Sequence, residues 1–99
     1  MKLGLRIESA FKKDLKRIKK RNLPESELWA VVEMLRNRTP LPPKYRDHAL
    51  VGNLRGRREC HIRPDWLLVY KIDDTAVELI LMRTGTHSEA LRNSQEEWV

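Results

Sequence analysis

Cysteine and long apolar runs are both scarce in this chain, and each scarcity excludes something. The single cysteine, Cys60, excludes an internal disulfide framework and a cysteine-based zinc site. A lone thiol also fits a reducing cytoplasm, which is the expected location. No run of about eighteen apolar residues occurs, so neither a transmembrane helix nor a membrane partner is expected. The opening "MKLGLRIESAF" lacks the long apolar stretch of a secretory signal. Internal repeats and low-complexity tracts are missing too. What remains is 99 residues, 40% hydrophobic and 34% charged, enough for one domain over 1–99 with a modest core and a heavily solvated surface. The last eight residues, "RNSQEEWV", are polar until Trp98 and Val99, so 92–99 reads as a tail.

Charge of one sign is abundant in one place. The net charge is +6, and residues 11–21, "FKKDLKRIKKR", hold seven Lys or Arg against one Asp. That segment accounts for the whole excess. A patch of this kind suits a polyanion or an acidic protein partner, and Lys12, Lys13, Lys16, Arg17, Lys19 and Lys20 are its expected contacts, with Arg57 from a later segment. The plainer alternative is a solvated helix face.

Leu3, Leu5 and Ile7 alternate with polar residues or glycine, the pattern of a half-buried strand. Ser9 offers an N-cap, and Phe11, Leu15 and Ile18 follow at helical spacing. "NLP" breaks the chain before Leu28, Val31, Val32 and Leu35, which mark a second helix over 24–37. A turn this short predicts an antiparallel helix hairpin packed on a sheet. Residues 38–56 carry three prolines and two glycines, too many for regular structure, and an irregular stretch of this length in a small domain points to function. Three strands follow in quick succession, over 57–63, 66–72 and 76–83, with "PDW" and "DDT" as turns. The second is apolar on both faces and therefore central. The order β-α-α-β-β-β predicts an α+β domain, a helix hairpin on a mostly antiparallel four-stranded sheet.

Four polar residues stand out. His48, in the proline-rich stretch, reads alone as a surface histidine. His61 shares a strand face with Arg57, Glu59 and Arg63, and so many charges require solvent or a ligand. Asp65 reads alone as an ordinary turn aspartate. His87 directly follows the last strand. Antiparallel pairing would bring Arg83 beside Trp66, next to Asp65, so His61, Asp65, Arg83 and His87 should gather at one end of the sheet. His48 joins them only if the long loop folds over. Histidines titrating near neutrality can supply a general base for a 2′-hydroxyl and a general acid for a 5′-oxygen leaving group. An arginine fork can stabilise a phosphate under attack. These are the parts of a ribonuclease that needs no metal or other cofactor. A metal site is the weaker use of them, because Arg83 would repel the ion and no close-spaced ligand pair is present.

The segments "LPPKYRDHALVGNLRGRRECHIRPDWLLVYKI" (41–72) and "RTGTH" (83–87) carry a resemblance. In motif, order and spacing the chain resembles the YafQ-like branch of the RelE/ParE superfamily of type II toxin–antitoxin modules. The N-terminal strand and hairpin match that branch in pattern only. The resemblance implies the RelE-like fold and an endoribonuclease that cleaves mRNA at the ribosome. It also implies a cognate antitoxin that covers the active site. Carried over by position, it makes His48, His61, Asp65 and His87 catalytic, and Arg83 the group that binds the phosphate. One departure is Leu91, where relatives place an aromatic four residues after the final histidine; Trp98 is the candidate substitute. A ParE-like poison of DNA gyrase on the same fold would not need the histidine set, and a plain nucleic-acid-binding module would bind through 11–21 without cutting.

Overall fold

The computed structural model describes residues 2–91. Trp98 therefore lies outside the described residues. The chain runs β1 (Gly4–Ile7), α1 (Ser9–Lys20), α2 (Glu25–Arg36), a 3₁₀ turn (Pro43–Tyr45), β2 (His48–Ala49), a second 3₁₀ turn (Gly52–Leu54), β3 (Arg58–Arg63), β4 (Trp66–Asp73) and β5 (Glu78–Gly85). The strands form one sheet in the order β1-β5-β4-β3-β2. β1–β5 is parallel, whereas β2–β3, β3–β4 and β4–β5 are antiparallel. The expected α+β fold and helix hairpin are present. The sheet has five strands rather than four, because the proline-rich segment folds back and adds β2 at the edge.

The helices cover one face. Phe11 and Ile18 of α1 and Leu28, Val31, Val32 and Leu35 of α2 pack against Cys60, Ile62, Trp66, Leu68, Tyr70, Leu79 and Leu81. Their regular spacing on each element is what makes this single core possible. The opposite face carries a smaller cluster of Leu54, Leu67, Val69, Ala90 and Leu91. β4 is buried from Trp66 to Tyr70 because it serves both clusters.

Two local expectations need correction. The N-cap of α1 is Glu8, not Ser9, and no side chain caps it. The last strand is shifted from 76–83 to Glu78–Gly85, because Val77 takes a left-handed φ of 55° that ends the preceding turn. Thr84 and Gly85 thereby join the sheet.

Candidate active site

Strand register builds the site. His48 stands opposite Glu59, and Glu59 opposite Val69. His61 stands opposite Leu67. Directly paired residues share a face, so His48, Glu59 and His61 project from the face away from the helices, beside the smaller apolar cluster. The long loop does fold over, and β2 is the device that delivers His48.

The charged face of β3 is not uniformly solvated. Glu59 is only 4% exposed. Its Oε1 lies 3.5 Å from Nε2 of His48 and 3.5 Å from Nε2 of His61, so one buried carboxylate oxygen serves two imidazoles. Each ring is oriented from behind by a backbone carbonyl. Nδ1 of His48 is 2.7 Å from the Arg46 carbonyl oxygen, and Nδ1 of His61 is 3.3 Å from that of Pro64. A neutral imidazole donates through one nitrogen, whereas an imidazolium donates through both. Each ring thus has an oxygen acceptor near both of its nitrogens. Sequence reasoning had placed Glu59 on the right face but missed its role; the signal was the i, i+2 spacing of Glu59 and His61 on one strand.

The loop that delivers His48 is anchored by its neighbour. The Tyr70 hydroxyl donates to Asp47, Arg58 Nη2 donates to Asp47 Oδ2 at 3.3 Å, and Arg58 Nε donates to the Tyr70 hydroxyl at 3.3 Å. Burial and the Asp47 carboxylate push the Tyr70 phenol well above its usual range, so it remains a donor. Arg46 bends the chain with a left-handed φ of 47°, a strained conformation for a non-glycine residue that aims its carbonyl at His48.

Arg83 departs from expectation in position. It pairs with Val69, not beside Trp66, because β5 continues through Gly85, which faces Leu67. Its fork is also engaged. Nε and Nη2 donate to the Asp14 carboxylate at 2.7 and 3.2 Å, which raises the Arg83 pKa. Asp14, 1% exposed, also accepts the Thr84 backbone N–H at 3.0 Å. The reason is topological. β1 last pairs at Ile7 with Leu81, leaving the β5 edge beyond without a strand, and Asp14 of α1 satisfies it. Nothing in the sequence pattern separated Asp14 from the basic residues around it. Arg83 and Arg57 together border a cleft of about 270 Å³, floored by Met82 and Ala90.

Asp65 and His87 come from separate pieces. Asp65, exposed in the β3–β4 turn, borders a cleft of about 200 Å³ with Arg21, Trp66, Gly85 and Thr86. His87 opens a helical segment over residues 87–91 and is exposed. That start is a capping box: Glu89 Oε1 accepts the Thr86 N–H at 3.0 Å, and the Glu89 N–H lies 3.3 Å from Thr86 Oγ1. Arg21 grips the same carboxylate (Nη1 to Oε1, 2.8 Å) and, with the Thr86 backbone, holds Glu89 down to about 2. Gly85 has φ 143°, and a Cβ there would lie 2.8 Å from Glu89 Oε1, so this turn requires glycine. Among the described residues neither Asp65 nor His87 hydrogen-bonds to the His48–Glu59–His61 group. Leu91, where an aromatic was expected to meet a base, is buried in the smaller cluster.

Among the basic residues of α1, Lys12, Lys13, Lys16, Lys19 and Lys20 are exposed, whereas Arg17 is partly engaged, 3.3 Å from Asp14 and 3.7 Å from Glu89. No group of three His, Cys, Asp or Glu among the described residues is arranged to hold a metal ion.

Residues 3–92 match the family described as the bacterial toxin of type II toxin-antitoxin system, YafQ. The mRNA interferase toxin YafQ of Escherichia coli (strain K12) is 40% identical over 79 residues, covering 79% of this chain and 84% of that protein. The metal-bound toxin from Helicobacter pylori is 45% identical with a TM-score of 0.84, over 88% of this chain and 97% of that one. YafQ in the E. coli DinJ–YafQ toxin–antitoxin complex is 37% identical with a TM-score of 0.80, over 89% and 96%.

Proposed function

This chain belongs to the YafQ family of type II toxin–antitoxin toxins, and we propose that it is an mRNA-cleaving endoribonuclease that works at the ribosome by metal-independent acid–base chemistry. The observation that carries the reading is the convergence of His48 and His61 on the buried Glu59. One imidazole takes the proton of the 2′-hydroxyl. The 2′-oxygen attacks phosphorus, the bond from phosphorus to the 5′-oxygen breaks, and that oxygen receives a proton from a second acid. Glu59 holds both rings in place and stabilises whichever becomes an imidazolium, as the buried carboxylate of a catalytic triad does.

Asp65 and His87 complete the acid–base set from the turn and the helix start on either side of the β4 end. In this reading the phosphate gains charge in the transition state, and Arg57 and Arg83, which border one cleft, offset it. Because Asp14 fixes the guanidinium, Arg83 acts as a held electrostatic group rather than a free two-pronged clamp. The exposed lysines of α1 supply phosphate affinity without reading sequence. The E. coli YafQ relative is known in complex with the antitoxin DinJ. By analogy, a cognate antitoxin neutralises this chain by covering the site, with acidic residues against 12–21. The gyrase-poison alternative leaves the paired histidines and their carboxylate without a task.

The test is to incubate translating ribosomes with the protein and map new 5′ ends on the message. Cuts should appear with wild type and disappear with His61→Ala, and a 2′-deoxy nucleotide at the scissile position should block them. An intact message, or equal cutting by wild type and His61→Ala, sinks the reading.

A further inference from the structure

A larger cavity, about 470 Å³, opens beside the histidine cluster and has no part in the acid–base scheme. It lies between α2 and the outer edge of β3. β2 pairs with β3 at Glu59 and Arg58, so among the described residues the β3 edge beyond Glu59 has no strand partner, and the turn around Tyr45 lies against that edge with the cavity between them and α2. Its volume falls within the range of small-molecule sites, about 300–1,000 Å³.

The lining has a definite chemistry. Ala30, Tyr45, Ile62 and Pro64 supply an apolar wall with one aromatic ring. Lys44 and Arg46 add two cations, and the Lys44 ammonium lies 5.1 Å from the centre of the Tyr45 ring. Among the described residues Glu27 is the one carboxylate in the lining, and Arg63 matches it through bonds of 2.9 and 2.7 Å, so the rim keeps a positive excess. An aromatic ring with one cation over its face and a second on the same rim suits a ligand with a flat π-system and a negative charge, the base taking the ring face as the phosphate draws the Lys44 ammonium aside. Two features tie the cavity to the reaction. His61 is part of its wall. Arg46 lines it with its side chain while its carbonyl orients His48.

We propose that this cavity is a nucleotide subsite, holding the RNA nucleotide next to the scissile phosphate with its base against Tyr45 and its phosphate between Lys44 and Arg46. The inference rests on the ribonuclease reading and adds to it the place where the substrate's neighbouring base is gripped. It also supplies a stacking ring in a molecule whose Leu91 is turned into the apolar cluster. Base–aromatic stacking tolerates all four bases but favours purines, so the subsite would bias cutting rather than dictate it.

The experiment pairs cleavage with direct binding. Tyr45→Ala removes the ring, Tyr45→Phe keeps it, and Ala30→Leu fills the cavity from an exposed position on α2. On translating ribosomes, Tyr45→Ala and Ala30→Leu should lower kcat/KM roughly 10- to 100-fold, mainly through KM, and flatten the nucleotide bias around the cut. Tyr45→Phe should restore both. In parallel, adenosine 5′-monophosphate titrated into the full chain should shift the amide resonances of Ala30, Tyr45 and Ile62, and Tyr45→Ala should abolish the shifts. If wild type cuts RNA and both variants cut the same sites at the same kcat/KM, the subsite is refuted and the ribonuclease stands. If wild type cuts nothing yet the nucleotide shifts those resonances, the ribonuclease reading fails and the nucleotide site stands. If Ala30→Leu weakens only antitoxin binding, the cavity is a protein-docking surface and the proposal is overturned.

Discussion

Replacing Asp14 by Ala should destabilise this protein more than any change among the solvent-facing residues around it. The carboxylate is 1% exposed and accepts from Arg83 Nε at 2.7 Å, Arg83 Nη2 at 3.2 Å and the Thr84 N–H at 3.0 Å. Arg17 approaches at 3.3 Å, but its side chain is 43% exposed and regains water. The Thr84 amide is buried and donates to Asp14 at the sheet edge, so stranding it costs about 1–3 kcal/mol. Breaking a fully buried ion pair costs about 3–5 kcal/mol and an exposed one about 0–1 kcal/mol, and Arg83, 20% exposed, falls between them at about 1–2 kcal/mol. A total of about 3 kcal/mol is expected, a large part of the roughly 5–15 kcal/mol that holds a domain of this size. The midpoint of thermal unfolding should fall by about 10–20 °C. Urea unfolding of wild type and Asp14→Ala, followed by far-ultraviolet circular dichroism, measures it. Asp14→Asn keeps an acceptor for Thr84 and should recover about half the loss. Adding Arg83→Met to Asp14→Ala should recover part as well, because no charge is then left unmatched. If Asp14→Ala unfolds within about 0.5 kcal/mol of wild type, the size of a typical surface change, then Asp14 is not what closes the β5 edge.

Glu59→Gln should lower kcat by about 10²- to 10⁴-fold, the range for displaced acid–base groups, with a thermal midpoint close to wild type; unchanged cleavage would remove Glu59 from the mechanism. The Glu89 carboxyl, held at about 2 by Arg21, binds a proton more readily unfolded than folded. Its stabilisation is therefore complete above the ordinary carboxylate range near 4.5 and is lost as pH falls from there towards 2, so Glu89→Gln should flatten the acid limb of a stability–pH curve between those values. Burial pushes the Cys60 thiol up to about 12, so a thiol reagent at pH 8 should leave the folded protein unmodified and label it only in denaturant; rapid labelling of folded protein would contradict the burial. Neutralising Lys12, Lys13, Lys16 and Lys20 together should weaken ribosome binding and flatten its salt dependence, and an unaltered salt slope would make that face merely solvated.

Local chemistry was readable from the chain because it repeats at short range. The 3.6-residue spacing of Leu28, Val31, Val32 and Leu35, the alternation in Leu3, Leu5 and Ile7 and the unbroken apolar run in "WLLVY" each report on a neighbourhood of a few residues. So do the turns, since proline and glycine act on the backbone where they stand. His61 and Asp65 were legible as chain neighbours, since only one strand end and one turn separate them, but that nearness did not say which groups each would meet. The charge bias of α1 was equally plain from composition.

The amino-acid sequence thus determined the α+β class, the helix hairpin, the meander and the family. Tertiary structure alone decided which groups touch. Asp14 looks like one acid in a basic helix until α1 lies along the β5 edge and meets Arg83, sixty-nine residues away. Glu59 looks solvent-facing until β2 brings His48 across from it. Arg83 moved from the Trp66 end to Val69 because a left-handed Val77 delays the start of β5. In each case the deciding quantity is a pairing over long sequence separation, set by how sheet register and helix packing satisfy buried polar groups together, and no local pattern records that balance.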